Sequence, residues 1–400
     1  MRVSTAMMFE SSVQAMMRRE AELLRTQQQI AGGKRLLTPG EDPVASAQAV
    51  DLRARQAVAA QSAANIAAAG SLLSAAEAKL GEAGEVLQAV RELLVAAGNG
   101  TYSDADRRAL ATELRARRSE LLGIANATDG QGRYLFAGYQ DAQRPFSDSA
   151  AGVAYLGDQG GRALAISPSR ELPVSASGEA VFCAGRSGNG VFAIAGAGGN
   201  MGSGAADIGA VYDASLLTGN AYRIVFAAGG STYDVLDLTA GTTVVSGAAF
   251  ASGQAMRFDG IELAVHGTPL AGDRYDIAPS ARQSVFAALD SALAALEAPQ
   301  PGAAERAGFA TRLGRSLAEL DSSMNAILEA RAAFGAALRE TESAAAATEA
   351  DAVRLAGALS AAEDVDVAKA ASDLARQKLA LEAAQQAHVL TARLSLFDYF

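Results

Sequence analysis

The sequence predicts an α+β fold: a long antiparallel helical bundle or coiled coil built from both ends of the chain, with an inserted antiparallel β-domain. Three observations predict it. Apolar residues recur every seventh position within the first 141 residues, and they do so again after residue 281. Between these two zones glycine becomes frequent and the apolar period shortens to two, which is the period of a β-strand.

The strongest repeat lies in the first zone. Every seventh residue from Ile66 to Leu94 is a leucine or isoleucine, and an alanine or valine follows three positions after each. Apolar residues at two positions of a heptad, sustained over several heptads, are typical of coiled-coil packing. Alanine at one of these positions lets two helices approach closely.

Turn and capping signals divide this zone into three helices. Gly33 is a suitable stop for the first helix. Asp42 can cap the free N–H groups of the next, and Pro43 suits its first position. Ser103 followed three residues later by Asp106 is typical of a capping box, so a third helix is predicted to begin there.

The last zone carries a similar repeat from Leu313 to Leu338, interrupted by Arg331. The simplest way to bury both repeats is to pair helices from the two ends of the chain, so that both termini lie together. We predict that nine residues form this intramolecular seam: Ile66, Leu73, Leu80, Leu87, Leu94, Leu313, Leu320, Ile327 and Phe334.

The middle zone reads as a small antiparallel β-domain with hairpins. Four segments alternate apolar and polar residues between glycine, aspartate or serine: Ala221–Ala227, Ser231–Leu238, Ile261–Val265 and Arg274–Ile277. The predicted domains are terminal assembly helices at residues 1–35 and 365–400, a helical rod at 36–144 and 281–364, and a β-rich outer domain at 145–280.

The outermost apolar stripes lie beyond the predicted bundle and have little intramolecular core to cover. Chain ends are normally frayed and polar unless something holds them. We therefore predict that these stripes pack against partners. The predicted assembly residues are Val3, Val13, Met16, Leu23, Ile30, Val367, Leu374, Leu381, Leu396 and Phe397.

The charge balance restricts the class of partner. The net charge is −10, which argues against nucleic acid and against an anionic membrane surface, because both need basic protein surface. The arginine-rich stretch Arg107–Arg118 is interleaved with acidic residues, and we interpret it as a solvated helix face. No apolar stretch is long enough to span a bilayer, and no cleavable signal peptide is recognisable at the start.

One segment imitates a nucleotide-binding motif. Val191–Gly204 (VFAIAGAGGNMGSG) places an apolar run before a Gly-x-Gly turn, as a dinucleotide-binding loop does. However, Met201 occupies the position of the third glycine, and no helical period follows to hold a pyrophosphate. We interpret the segment as a glycine-rich β-turn region that binds no cofactor.

Other reactive residues are isolated from one another. Cys183 has apolar neighbours and is expected to be a buried small hydrophobe. His266 falls at a strand end and His388 in a C-terminal helix, without the spacing of a metal site. The acidic run Glu363–Asp366 lacks the glycine-bearing loop of an EF-hand. We predict no catalytic residues, no metal and no cofactor, and hence a protein that is not an enzyme.

Five segments carry a resemblance to a known family. Gln27–Pro43 (QQQIAGGKRLLTPGEDP), Gly132–Gly138 (GRYLFAG), Ala361–Ala384, the opening Met1–Thr5 and the ending Ser395–Phe400 occur in the family's order. They are similar to flagellar hook-associated protein 3, a family of the flagellin superfamily. The resemblance covers most of the two helical zones.

The resemblance implies a structural subunit of the bacterial flagellum that joins hook and filament and assembles through its N- and C-terminal helices. It implies export by the flagellar type III apparatus without a cleavable signal peptide, and a final location in the extracellular flagellum. The implied partners are copies of itself, the adjoining hook-associated protein, flagellin, and a cytoplasmic export chaperone before secretion. Neither nucleic acid nor membrane insertion is implied.

Two alternative functions remain open from the sequence. A flagellin, the subunit of the filament itself, would share the terminal heptads but usually starts and ends differently. A surface-displayed binding module would use the β-domain, although Phe182–Pro279 gathers no aromatic or charged pocket.

Overall fold

Residues 5–393 are the part of the chain that the structure, a computed structural model, describes. Helices occupy both ends of this range and strands its middle, so the predicted α+β fold class is confirmed. The helices are α1 (Thr5–Gly32), α2 (Pro43–Ala97), α3 (Asp104–Ala125), α4 (Gly178–Phe182), α5 (Val285–Glu297), α6 (Ala303–Glu363) and α7 (Val367–Arg393).

The strands lie between α3 and α5 and pair only in antiparallel fashion among the described residues. They are β1 (Phe146–Ser149), β2 (Gly152–Tyr155), β3 (Ala163–Ser167), β4 (Arg170–Pro173), β5 (Gly185–Arg186), β6 (Phe192–Gly196), β7 (Ala205–Ala206), β8 (Ala210–Val211), β9 (Tyr222–Phe226), β10 (Thr232–Asp237), β11 (Thr242–Ala249), β12 (Ala255–Phe258), β13 (Ile261–His266), β14 (Arg274–Pro279) and β15 (Arg282–Gln283).

The chain divides into two units. The first unit is Met1–Ala64 with Ala344–Phe400, and the second unit is Asn65–Ser343. The first unit contains α1, α7, the beginning of α2 and the end of α6. The second unit contains the remaining parts of α2 and α6 together with everything between them. The domain limits predicted from the sequence stay a prediction.

In the second unit, α2 and α6 run antiparallel. Arg91 Nε of α2 donates to Asp321 Oδ1 of α6 at 2.8 Å, and Arg331 Nε of α6 donates to Glu77 Oε1 of α2 at 2.6 Å. The later residue of α2 thus contacts the earlier residue of α6, which is the order of antiparallel helices. All nine residues of the predicted seam are buried within this unit, the most exposed being Leu313 at 7%.

The capping box predicted for α3 is confirmed. The Ser103 side chain accepts from the backbone N–H of Asp106, and the Asp106 side chain accepts from that of Ser103. The Ser103 hydroxyl also donates to the Asp106 carboxylate at 2.7 Å, and this bond, with that from the Ser103 N–H, lowers the pKa of Asp106 below its ordinary value. Two of the N–H groups that every helix start leaves without a partner are thereby satisfied.

The β-domain is organised around two sheets. The larger has the strand order β11-β10-β9-β14-β6, and the smaller places β12, β7 and β8 against β13. Successive residues of β9 and β10 alternate between buried and half-buried, as the period of two predicted. The core between the strands is formed by Phe192, Ile194, Tyr222, Ile224, Phe226, Val235, Phe258, Leu263, Tyr275 and Ile277.

A second small core lies beside α3 and α5. Phe146 of β1 packs edge-on against Phe182 of α4 at 5.6 Å between ring centroids, and against Phe286 of α5 at the same distance. Tyr155 and Phe136 complete the cluster. Such aromatic contacts contribute about 0.5–1.5 kcal/mol each beyond their buried area. The sequence did not predict this cluster, because its members are distant along the chain.

Two expectations for single residues are corrected. The stretch Arg107–Arg118 is not wholly a solvated face, since Arg107 is 6% exposed and the side chain of Arg118 is 13% exposed. Cys183 is half-buried rather than buried. It lies at the C-terminal end of α4, and its partial burial raises the pKa of its thiol to about 11.

A close approach of two loops requires glycine at position 138. Gly138 has φ +73°, and a Cβ there would lie 2.2 Å from Asp158 Oδ1. The Asp158 carboxylate accepts three backbone N–H groups, including those of Tyr139 at 3.0 Å and Gly160 at 2.7 Å. These hydrogen bonds lower the pKa of Asp158.

Gly138→Ala should therefore lower the free energy of unfolding of the second unit by about 2 kcal/mol, because it adds backbone strain and displaces a carboxylate that joins the two loops. Urea unfolding followed by circular dichroism measures the effect. Gly132→Ala is the matched control: its φ is +80° but nothing lies within 4 Å of the added Cβ, so it should cost only the strain, about 1 kcal/mol. Equal losses in both variants would contradict the role of Asp158.

Candidate assembly surface

The residues predicted to assemble lie on α1 and α7, which pack along each other in the first unit. The two helices are antiparallel: Ser12 Oγ lies 2.8 Å from His388 Nδ1, whereas Lys34, just after α1, pairs with Asp364, just before α7, at 2.7 Å. The ring of Phe9 also contacts His388, at 4.7 Å between centroids.

The structure separates the predicted assembly residues into three groups. Val13, Met16, Leu23, Ile30, Leu374 and Leu381 are half-buried on α1 and α7. Val367 is 60% exposed. Val3, Leu396 and Phe397 lie outside the described residues. The six half-buried residues are partly covered within the chain, because α1 and α7 cover each other, and their role in assembly stays a prediction.

A second set of apolar side chains on the same helices is largely exposed among the described residues. We call it the outer apolar set; each member is at least 50% exposed: Met7, Phe9, Met17, Leu24, Val367, Leu379, Val389 and Leu390. Apart from Val367, the sequence reasoning missed it. The sequence did carry a signal for it in the pairs Met16-Met17 and Leu23-Leu24. The second residues of these pairs are seven positions apart, so they form a second apolar stripe on α1 beside the first.

The corner between α6 and α7 is held by charge. Glu363 is 6% exposed, and it pairs with Arg53 at 2.7 Å and with Lys34 at 3.3 Å. The hydrogen bond from Lys34 lowers the pKa of Asp364, and the same bond raises the pKa of Lys34. The backbone also takes part, since Arg35 N–H donates to Glu363 O at 2.7 Å. The acidic run of the sequence is thus a structural corner.

The geometry offers no arrangement typical of catalysis or metal binding in the described range. No group of three or more His, Cys, Asp or Glu within residues 5–393 could hold a metal ion. The glycine-rich segment after β6 leads to β7 instead of a helix. None of the described helices is long and apolar enough to cross a membrane.

Comparison with known proteins agrees with the helical ends. Residues 3–141 match the family model of the bacterial flagellin N-terminal helical region. The crystal structure of FlgL from Xanthomonas campestris is 31% identical, with a TM-score of 0.71, and the match covers 77% of this chain and 98% of that one.

The chain belongs to the flagellar hook-associated protein 3 family.

Further relatives agree with this membership. The flagellar junction protein FlgL from Legionella pneumophila is 30% identical with a TM-score of 0.73, and the match covers 79% of this chain and all of that one. Flagellar hook-associated protein 3 of Salmonella typhimurium is 33% identical over 182 residues, which is 46% of this chain and 57% of the relative. The chain thus matches a little over half the length of that curated relative. The resemblance to the flagellar hook-associated protein 3 family is confirmed.

Proposed function

We propose that this member of the hook-associated protein 3 family is a structural subunit of the bacterial flagellum that joins hook and filament. The observation that carries the proposal is the match to the whole length of a flagellar junction protein. The surface of the terminal helices supports it, because uncovered apolar side chains on helices at both chain ends favour association over catalysis.

The partners we propose are copies of the same chain, the adjoining hook-associated protein and flagellin, with a cytoplasmic export chaperone before secretion. The proposed location is the extracellular flagellum. The protein is proposed to catalyse no reaction, since its relatives bear the names of structural flagellar proteins.

The proposed driving force is burial of apolar surface between subunits. Each Å² of apolar surface removed from water contributes about 25 cal/mol, and ordering of chain segments on assembly offsets part of this gain. The outer apolar set is already exposed while α1 and α7 cover the half-buried residues. It can therefore be buried by a neighbouring subunit without separating the two helices.

The decisive experiment is a strain that lacks this gene. Such cells should keep their hooks and secrete flagellin that does not attach, and the full chain should restore attached filaments. A truncated chain of about residues 40–360 should be soluble and folded but should not restore filaments or swimming, because it lacks α1 and α7. Restored motility with the truncated chain would contradict assembly through the ends. Long filaments grown from the purified subunit alone would instead support a flagellin.

A point variant tests the outer apolar set. The double change Met17→Glu and Leu24→Glu should lower the number of attached filaments at least tenfold, because two charges would have to be buried between subunits. Electron microscopy of the complemented strain counts the filaments. Gln28→Glu, also on an exposed position of α1, adds charge without removing apolar surface and should leave the number unchanged. Normal filaments in the double variant would exclude this surface from assembly.

A further inference from the structure

The tripeptide Gly-Asn-Gly occurs twice in the chain, at residues 98–100 and 188–190. In an Asn-Gly pair the backbone nitrogen of the glycine can attack the side-chain amide carbon of the asparagine, because glycine has no Cβ to hinder the approach. Both copies have the same residues on either side of the asparagine. A large difference in their reactivity must therefore come from the fold.

The first copy lies in the turn between α2 and α3, where residues 98–101 are all exposed. Within residues 5–393, neither the side-chain Nδ2 of Asn99 nor the backbone N–H of Gly100 donates a hydrogen bond to the protein. A Cβ added at Gly100 would have nothing within 4 Å. The leaving amine and the attacking nitrogen are thus both unrestrained, and the space for a new ring between them is open.

The third reacting atom of this turn is held by the protein. Asn99 Oδ1 accepts hydrogen bonds from the Thr101 backbone N–H at 3.1 Å and from the Thr101 hydroxyl at 2.9 Å. This oxygen gains negative charge when a nitrogen adds to the amide carbon. Two donors already placed on it stabilise that charge, as the donors of an oxyanion hole do.

The second copy is restrained at the atoms that are free in the first. Asn189 Nδ2 donates to Ile208 O at 3.3 Å and to Gly209 O at 3.1 Å. The attacking nitrogen, that of Gly190, donates to Ser187 O at 3.3 Å. Release of three hydrogen bonds lowers the population of a reactive conformation about a hundredfold.

We propose that Asn99 is a site of self-modification, at which the turn between α2 and α3 deamidates through a cyclic imide. The Gly100 nitrogen loses its proton to water and bonds to Asn99 Cγ. The bond from Cγ to Nδ2 then breaks, and the amine leaves as ammonia. Water opens the five-membered imide at either carbonyl and yields aspartate or isoaspartate. The reaction consumes only water and adds one negative charge to the turn.

Peptide mapping by mass spectrometry tests the site on the purified, folded full chain, kept at mildly alkaline pH. The peptide with Asn99 should gain the mass of an amine replaced by a hydroxyl, at least about a hundredfold faster than the peptide with Asn189. The modified chain should elute from an anion-exchange column with the Asn99→Asp variant. The rate should rise with pH, because the attacking nitrogen must lose a proton. An unmodified Asn99, or an equal rate at Asn189, overturns the proposal.

Two variants test the atoms of the turn. Gly100→Ala adds a Cβ beside the attacking nitrogen and should slow the modification of Asn99 about tenfold or more, as a steric barrier of modest height does. Gly130→Ala is the matched control: Gly130 is also exposed and also has nothing within 4 Å of an added Cβ, so the rate should stay unchanged. Thr101→Val removes one donor to Asn99 Oδ1 and should slow the reaction about fivefold.

Unfolding separates the effect of the fold from that of the local sequence. In concentrated urea the restraints on Asn189 are lost, so both copies should react at rates within about tenfold of each other. If Asn99 kept its full advantage in urea, the difference would lie in the neighbouring residues and the structural argument would be overturned.

Discussion

Leu87→Ala should lower the free energy of unfolding of the second unit by about 3–4 kcal/mol. Leu87 is 0% exposed and lies on α2, at a position predicted to face α6. Removal of its branched side chain forfeits the transfer free energy of the lost carbon atoms and leaves a cavity that long, mutually supporting helices cannot close. Urea unfolding followed by circular dichroism measures the loss.

Val95→Ala is the control for this change. Val95 lies on the same helix but is 55% exposed, so its replacement should cost less than about 0.5 kcal/mol. If the two variants unfolded at the same urea concentration, the seam between α2 and α6 would not stabilise the unit.

Arg118→Met should lower the free energy of unfolding by about 2–3 kcal/mol. Arg118 lies on α3 and joins it to two other elements. Its Nη1 donates to Asp148 of β1 at 2.7 Å, and its Nε donates to Asp290 of α5 at 2.6 Å. Without the guanidinium, two carboxylates face each other without a counter-charge. Breaking a buried ion pair costs about 3–5 kcal/mol, and partial exposure of both aspartates reduces that figure.

The neighbouring arginine provides the control. Arg117 pairs with Glu113 and Glu120, which are both at least 50% exposed, so Arg117→Met should cost at most about 0.5 kcal/mol. Calorimetric melting of both variants at pH 7 measures the difference between them. Equal melting temperatures would show that the three-element contact adds nothing beyond a surface ion pair.

The effect of Arg118 should also depend on pH. The hydrogen bond from Arg118 lowers the pKa of Asp148 below its ordinary value, which is about 3.9 in an unfolded chain. Stabilisation from a lowered carboxyl pKa is fully present above the unfolded value and is lost as the pH falls through the folded value. The stability difference between the natural chain and Arg118→Met should therefore shrink between pH 5 and about pH 2. A difference independent of pH over this range would contradict the ion pair.

Local patterns in the sequence were sufficient to predict the helices and strands that have a regular period. The heptads from Ile66 and from Leu313 placed nine residues that are all buried, because a helix presents the same face every two turns. Ser103 and Asp106 predicted the start of α3, because a capping box joins residues only three positions apart. Alternation in β9 and β10 predicted strands for a comparable reason.

Long-range contacts decided the rest. Arg117 and Arg118 are adjacent in one charged stretch, yet only Arg118 reaches two distant aspartates. Met16 and Met17 are equally apolar, yet Met16 is half-buried and Met17 is 64% exposed. Such differences depend on which neighbour lies opposite a side chain, and no short stretch of sequence carries that information.

The sequence by itself determined the order of helix, strand and helix and the likeness to a flagellar family, because both depend on local apolar periods and short motifs. Only the tertiary structure decided which apolar residues of α1 and α7 stay exposed and which arginine of α3 reaches distant aspartates. The physical reason is that exposure and hydrogen-bond partnership are properties of pairs of segments that fold together from distant parts of the chain.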